Sequence, residues 1–173
     1  MTSETKEFIN DLTQIVISSY NITIPITKMD DVVKQMRGTV IENDDFDSDS
    51  DGSIKKTSNN TFEIKISKNQ TNERRNFTIA HELGHLFLHM GYRTNDELWE
   101  KQDNCVYNRF GKSEQEFQAN EFAASLLMPE DKYIEYFRDI YTGNFEKDIK
   151  NVSSHFNVSV SAASNRGKFL GYF

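Results

Sequence analysis

The sequence predicts an α+β fold: mainly helical, with a small three-stranded antiparallel sheet and a C-terminal helical, helix-turn-helix-like subdomain. Three observations carry this. Apolar residues recur at helical spacing over most of the chain, short runs rich in Ile, Val and Thr (TVIE, SIKKT and TFEIKIS) gather between positions 39 and 67, and the tail FEKDIKNVSSHFNVSVSAASNRGKFLGYF holds two short periodic segments about one turn. A chain of 173 residues is near the usual size of one domain. The expected division is a main domain over 1–141 with a small helical subdomain, 142–173, packed on it.

Phe8, Leu12, Ile15, Val16 and Ser19 follow helical spacing, and Thr2 or Ser3 can cap the start, so the first twenty residues read as an amphipathic helix. Asn21 to Ile26, interrupted by Pro25, reads as a connector. A second helix is expected from about Thr27 to Arg37, closed by Gly38 in a left-handed cap. Three strands follow, the last two joined across Ser58, Asn59 and Asn60 as a hairpin. The next helix is expected from Thr71 to His89, ending at Gly91. Tyr92 to Lys112, which contains Trp99, shows no clear period and reads as a long loop. Ser113 opens a helix to about Met128, and Pro129 suits the first turn of another, PEDKYIEYFRDIY, which stops at Thr142, Gly143 and Asn144. The tail gives two short helices around a turn near Phe156 to Ser159.

Charge excludes some functions. The chain has 20 Lys and Arg against 27 Asp and Glu, a formal charge of −7, and ENDDFDSDSD, from Glu42 to Asp51, supplies six of the acids and no base. The acidity is local, which argues against a nucleic-acid groove in that loop. Its DSDSDG, Asp47 to Gly52, matches the first half of a calcium-binding EF-hand loop, but Ser58 stands where the closing Glu should be, so a solvated loop is the expectation. No run approaches the roughly 18 to 20 apolar residues of a membrane span, and the N-terminus lacks a signal-peptide pattern. A cytoplasmic protein is expected, and the single Cys105, which cannot form an internal disulfide, agrees with a reducing compartment.

The chemistry lies in IAHELGHLFLHM, residues 79 to 90. Ile79, Leu83, Leu86, Phe87 and Met90 make one apolar stripe, which faces a core. His81 and His85 lie on another face, one turn apart and separated by about 40°, so two imidazoles can converge on one ion. Glu82 follows His81, giving His-Glu-x-x-His, in which two neutral imidazoles hold zinc and the carboxylate takes a proton from water. His85 and His89 form a second pair, but Leu86 stands where its base would be. His89 also sits a rise of about 12 Å beyond His81 on an ideal helix, so it is expected to cap the last carbonyls or to pack structurally.

Zinc in such enzymes takes three protein ligands. A third histidine six residues beyond the second would fall on Gly91, which excludes that pattern. A carboxylate from SEQEFQANEFAASLLMP is the alternative. Glu116, Ala119, Asn120, Ala123 and Leu127 share a face there, and the alanines permit close packing. By spacing alone Glu116 serves equally as ligand or as the partner of Ser113 in a capping box, with Glu114 and Glu121 as weaker candidates.

TIAHELGHLFLH followed by EFQANEFAASLLMP resembles the ImmA/IrrE family of bacterial and phage zinc metallopeptidases, whose pattern is HExxH and then ExxA(N or D)xFAxxLLMP. The resemblance implies a zincin-like, helical metallopeptidase core with a three-stranded sheet beside the active helix. It also implies a gluzincin-like site in which His81, His85 and Glu116 hold Zn2+ and Glu82 is the general base. Family members often carry a second Glu where this chain has Gln118, which leaves Glu116 as the acid at the ligand position. Asn120, one turn beyond Glu116, can orient a histidine or pack between helices.

The implied activity is that of a zinc metalloendopeptidase cutting a helix-turn-helix repressor or antitoxin, usually encoded nearby, and so relieving repression in phage induction, mobile-element transfer or stress. The rival is a toxin-like or anti-repressor partner that binds the repressor and keeps zinc as a structural ion. The tail offers only Lys150, Arg166 and Lys168 to DNA, so packing or repressor recognition is expected of it rather than DNA binding. Tyr92, Arg109, Tyr133 and His155 are open choices for an oxyanion donor.

Overall fold

The computed structural model describes residues 2–43, 51–102 and 114–172. The Thr2 side chain accepts from the Thr5 amide and starts α1, Ser3–Ser19. Its buried face is Ile9, Thr13 and Val16, whereas Phe8 and Ile15 are exposed, so the stripe lies one position round from the expected one. Thr13 tolerates burial because its hydroxyl donates to the Ile9 carbonyl at 2.6 Å.

The second helix, α2, is Met29–Gln35, shorter than expected, and the left-handed residue after it is Arg37, with φ 64°, not Gly38. Gly38 serves close packing instead: a Cβ there would lie 2.4 Å from the Phe62 ring and 2.7 Å from Val33. It opens β1, Gly38–Asn43, which is followed by β2, Gly52–Ser58, and β3, Thr61–Ser67.

β2 and β3 form the expected hairpin across Asn59 and Asn60. The sheet is mixed rather than antiparallel, in the order β1-β3-β2, with β1 parallel to β3 from Gly38 opposite Phe62 to Asn43 opposite Ser67. β3 alternates strictly and buries Phe62, Ile64 and Ile66, so a central place suits it. The short helix α4, Asp96–Glu100, takes space beside β2, where the Lys56 ammonium donates to the Trp99 carbonyl at 2.8 Å. A hairpin signal reports strands adjacent in sequence and says nothing of which edge a third strand takes.

Thr71 caps α3, Asn72–Leu88, and Gly91, at φ 81°, lets the chain turn away. Ile79, Leu83, Leu86 and Met90 are wholly buried, and Phe87 nearly so, as their spacing requires. The stretch expected to be a loop instead contains α4, capped by Asn95, and its Trp99 is buried with Nε1 donating to the Asn59 carbonyl at 2.7 Å. Then come α5, Glu114–Leu127, α6, Glu130–Ile140, directly after Pro129, α7, Phe145–Phe156, and α8, Val160–Phe169.

α3 packs on α5 through Gly84, where a Cβ would stand 2.9 Å from the Ala119 Cα. No helix among the described residues is long and apolar enough to cross a membrane. Most of the acidic loop, Cys105, Arg109 and Ser113 lie outside the described residues, as do most of the calcium-loop positions and the capping-box alternative for Glu116.

Candidate metal centre

α3 and α5 bring three ligand-type side chains together. The Nε2 atoms of His81 and His85 face each other at 3.0 Å, and the Glu116 carboxylate lies 3.3 Å from the first and 3.2 Å from the second. One ligand atom from each falls within 4.8 Å of the other two. The close crossing at Gly84 and Ala119 is what carries Glu116, in the first turn of α5, to the histidine face of α3.

This donor set fits zinc. Ligands on a tetrahedral ion at about 2.0–2.1 Å stand roughly 3.3 Å from one another, close to the separations found. Each histidine is also held from behind through Nδ1: His81 by the Asn120 side-chain oxygen at 2.8 Å, and His85 by His89 Nδ1 at 2.9 Å. With its proton on Nδ1 toward Asn120, His81 presents the lone pair of Nε2 to the centre. Asn120, which the sequence left between orienting a histidine and packing, makes the orienting contact. His89 is the C-cap residue of α3, its backbone N–H donating to the His85 carbonyl at 2.9 Å, and its ring links His85 to Gln118, whose Oε1 lies 3.0 Å from His89 Nε2. Burial lowers the His89 pKa below the ordinary histidine value, and the Gln118 contact opposes that shift.

Glu82 is buried on the side of α3 that faces β2. A Cβ at Gly52 would lie 2.9 Å from its Oε1 and 2.7 Å from Thr78, so the absence of a side chain at Gly52 makes room for this carboxylate. In the sequence Gly52 was legible only as the glycine of the DSDSDG calcium-loop match; its contact with Glu82 depends on how β2 lies against α3. Glu121 is engaged elsewhere, 2.8 Å from the Arg166 guanidinium. Glu114 is exposed in the first turn of α5.

Three oxyanion candidates are likewise engaged. The Tyr92 hydroxyl donates to the Met36 carbonyl at 2.6 Å, that of Tyr133 to the Ala163 carbonyl at 2.8 Å, and the His155 ring stacks on Tyr136 at 3.7 Å.

A cleft of about 1280 Å³ opens beside the centre. His81, Glu116 and Asn120 line one part of it, and Ser159 and Val160 at the start of α8, with Asn165 in its middle, line another. Phe77, Phe117 and Phe169 add apolar surface.

The model of the M78 peptidase family described as the IrrE N-terminal-like domain matches residues 32–168. No curated protein matches the chain. Among solved structures, a Mycobacterium tuberculosis transcriptional regulator shares the fold, with a TM-score of 0.58 at 14% identity. That alignment covers 94% of this chain and 50% of the other, so the chain spans about half the length of that structure.

Proposed function

The chain belongs to the M78 peptidase family through its IrrE N-terminal-like domain, and from that premise we propose that it is a zinc-dependent endopeptidase of the ImmA/IrrE kind. The observation that carries this is the convergence of His81, His85 and Glu116, with Glu82 next in sequence to the first of them. His81, His85 and Glu116 hold the ion in this proposal.

A zinc ion bound there supplies Lewis acidity, polarising the scissile carbonyl and making water acidic enough to lose a proton near neutral pH. Glu82 takes that proton as the water oxygen bonds to the carbonyl carbon, and delivers it to the amide nitrogen as the C–N bond breaks. Asn120 holds the His81 ring in place, and the buried surroundings of both histidines limit access of bulk water.

The substrate in this proposal is a cytoplasmic helix-turn-helix repressor or antitoxin encoded nearby, as the family resemblance implies. It lies in the cleft between α5 and α8, with the C-terminal unit, 142–173, forming one wall. Arg166, one of the three bases in the tail, is buried and turned inward to Glu121, which favours protein recognition over DNA binding.

The test compares purified wild type, Glu82→Gln and Glu116→Ala. We expect about one zinc per chain in wild type and Glu82→Gln and much less in Glu116→Ala. We also expect repressor cleavage, read by mass spectrometry of the products, to fall by roughly 10²–10⁴-fold in Glu82→Gln. Undiminished cleavage by Glu82→Gln would sink the mechanism. Relief of repression by Glu82→Gln, with the repressor intact, would point to the non-catalytic binding partner.

A further inference from the structure

The two histidines of the centre are supported differently. His81 Nδ1 meets one side-chain oxygen, that of Asn120, at 2.8 Å. His85 Nδ1 meets another imidazole: His89 Nδ1 at 2.9 Å, with Gln118 Oε1 3.0 Å from the far nitrogen of that ring. His89 lies one turn beyond His85 on α3, and Gln118 lies two residues beyond Glu116 on α5. The two helices that provide the ligands thus also provide this chain of contacts.

Two ring nitrogens at hydrogen-bond distance need one proton or one shared cation between them, because two lone pairs repel and two N–H groups collide; between His81 Nε2 and His85 Nε2, 3.0 Å apart, the proposed metal ion would take that place. A neutral imidazole carries its proton on one nitrogen only, so fixing the proton at one end of the chain fixes it throughout. The amide oxygen of Gln118 can only accept, so His89 Nε2 is the donor there. His89 Nδ1 then bears a lone pair and accepts from His85 Nδ1–H. That leaves His85 Nε2 bare, where it faces His81 Nε2 and the Glu116 carboxylate. The opposite order, with the Gln118 amino group donating, would place the proton on His85 Nε2 and block it as a ligand.

We infer that His89 and Gln118 are positioning residues that hold His85 in the Nδ1–H tautomer and so keep its Nε2 open to a metal ion. The purpose of this relay rests on the proposed metal site, whereas its geometry does not. Partners behind a ligating histidine fix its tautomer and ring orientation, and their loss typically weakens metal binding by about 10–100-fold.

The experiment uses two readouts on the full chain. Long-range ¹⁵N–¹H NMR of the metal-free protein, labelled at histidine, reads which His85 nitrogen carries the proton. Competition with a chromophoric chelator then gives zinc affinity for wild type, His89→Phe, His89→Asn, Gln118→Met and Glu116→Ala. The expected result is a His85 proton on Nδ1 in wild type and in Glu116→Ala. His89→Phe should bind zinc roughly 10–100-fold more weakly, with His89→Asn, whose amide oxygen can accept from His85, recovering most of the loss. Gln118→Met should show mixed His85 tautomers and a smaller loss of affinity, and it carries the test if His89→Phe fails to fold.

A wild-type proton on His85 Nε2, or wild-type affinity in both His89→Phe and Gln118→Met, would overturn the relay. Failure of wild type to bind zinc while His85 still carries its proton on Nδ1 would instead overturn the proposed peptidase and leave the relay standing.

Discussion

Gly52 is the residue whose importance is least visible in its neighbourhood along the chain. It follows an acidic run, yet in three dimensions it faces Thr78 and the Glu82 carboxylate across the gap between β2 and α3. A methyl group there would stand 2.7 Å from Thr78 and 2.9 Å from Glu82 Oε1, and the flexible carboxylate yields more readily than the β-branched threonine. Gly52→Ala is therefore expected to keep its metal while cleaving roughly 10–100-fold more slowly, since a displacement near 1 Å of a reacting group can cost about that much. A variant with wild-type kcat/KM would show that the carboxylate has other room. His81, Glu82 and His85 were legible because they sit within one helical turn of a single element, where spacing alone gives relative position. By spacing Glu116 stayed ambiguous, because its partners lie 31 and 35 positions earlier and no local spacing reports that distance in space; only the family resemblance singled it out.

At the scale of elements, the crossing of α3 and α5 decides whether the centre exists. A Cβ at Gly84 would meet backbone, 2.9 Å from the Ala119 Cα and 3.0 Å from its carbonyl oxygen, so the helices would have to separate. Alanine raises helix propensity by roughly 0.5–1 kcal/mol over glycine, while overpacking costs typically about 1–3 kcal/mol, so the packing cost should win. Gly84→Ala is expected to lower the denaturation midpoint and to bind zinc more weakly than wild type, because Glu116 moves with α5. Raised stability with unchanged zinc affinity would mean that the crossing has slack. The helices were predictable because caps and apolar periods are written locally: Thr71 and Gly91 bound α3, and Pro129 precedes α6. The third strand's edge and the helix α4 were not. The first follows from competition for the sides of β3, and the second is a single turn stabilised by the burial of Trp99.

For the whole molecule, a buried polar cluster ties the C-terminal helices to the rest. Arg166 of α8 donates to Glu121 of α5 at 2.8 Å and to the Met128 carbonyl at 3.1 Å, and it reaches Asn10 of α1 at 3.4 Å. Burial raises the Glu121 carboxyl above its ordinary value, while the Arg166 guanidinium pulls it down. Arg166→Met removes that pull and leaves a carboxylate buried without its cation, at a cost of about 3–5 kcal/mol near pH 7. The sign with pH follows from the raised folded-state pKa. Above it the charged, unpaired Glu121 destabilises the fold; below the unfolded-state value of about 4.3 the group is neutral in both states and that cost disappears. Urea denaturation of wild type and Arg166→Met at pH 7.5 and pH 4.5 should therefore show a large difference at the first and a small one at the second. An equal difference at both would assign the loss to packing of the arginine stem alone.

The sequence by itself determined the main helices, the hairpin, the HExxH face of α3 and the family, because caps, periods and short motifs act over one or two turns of chain. Only the tertiary structure decided that β1 runs parallel on the far side of β3. It alone also brought Glu116 to the two histidines, set Gly52 against Glu82 and joined His85 to Gln118 through His89. Each of these depends on two elements approaching within a few ångströms, and the local spacing of residues does not encode which surfaces of a folded chain meet.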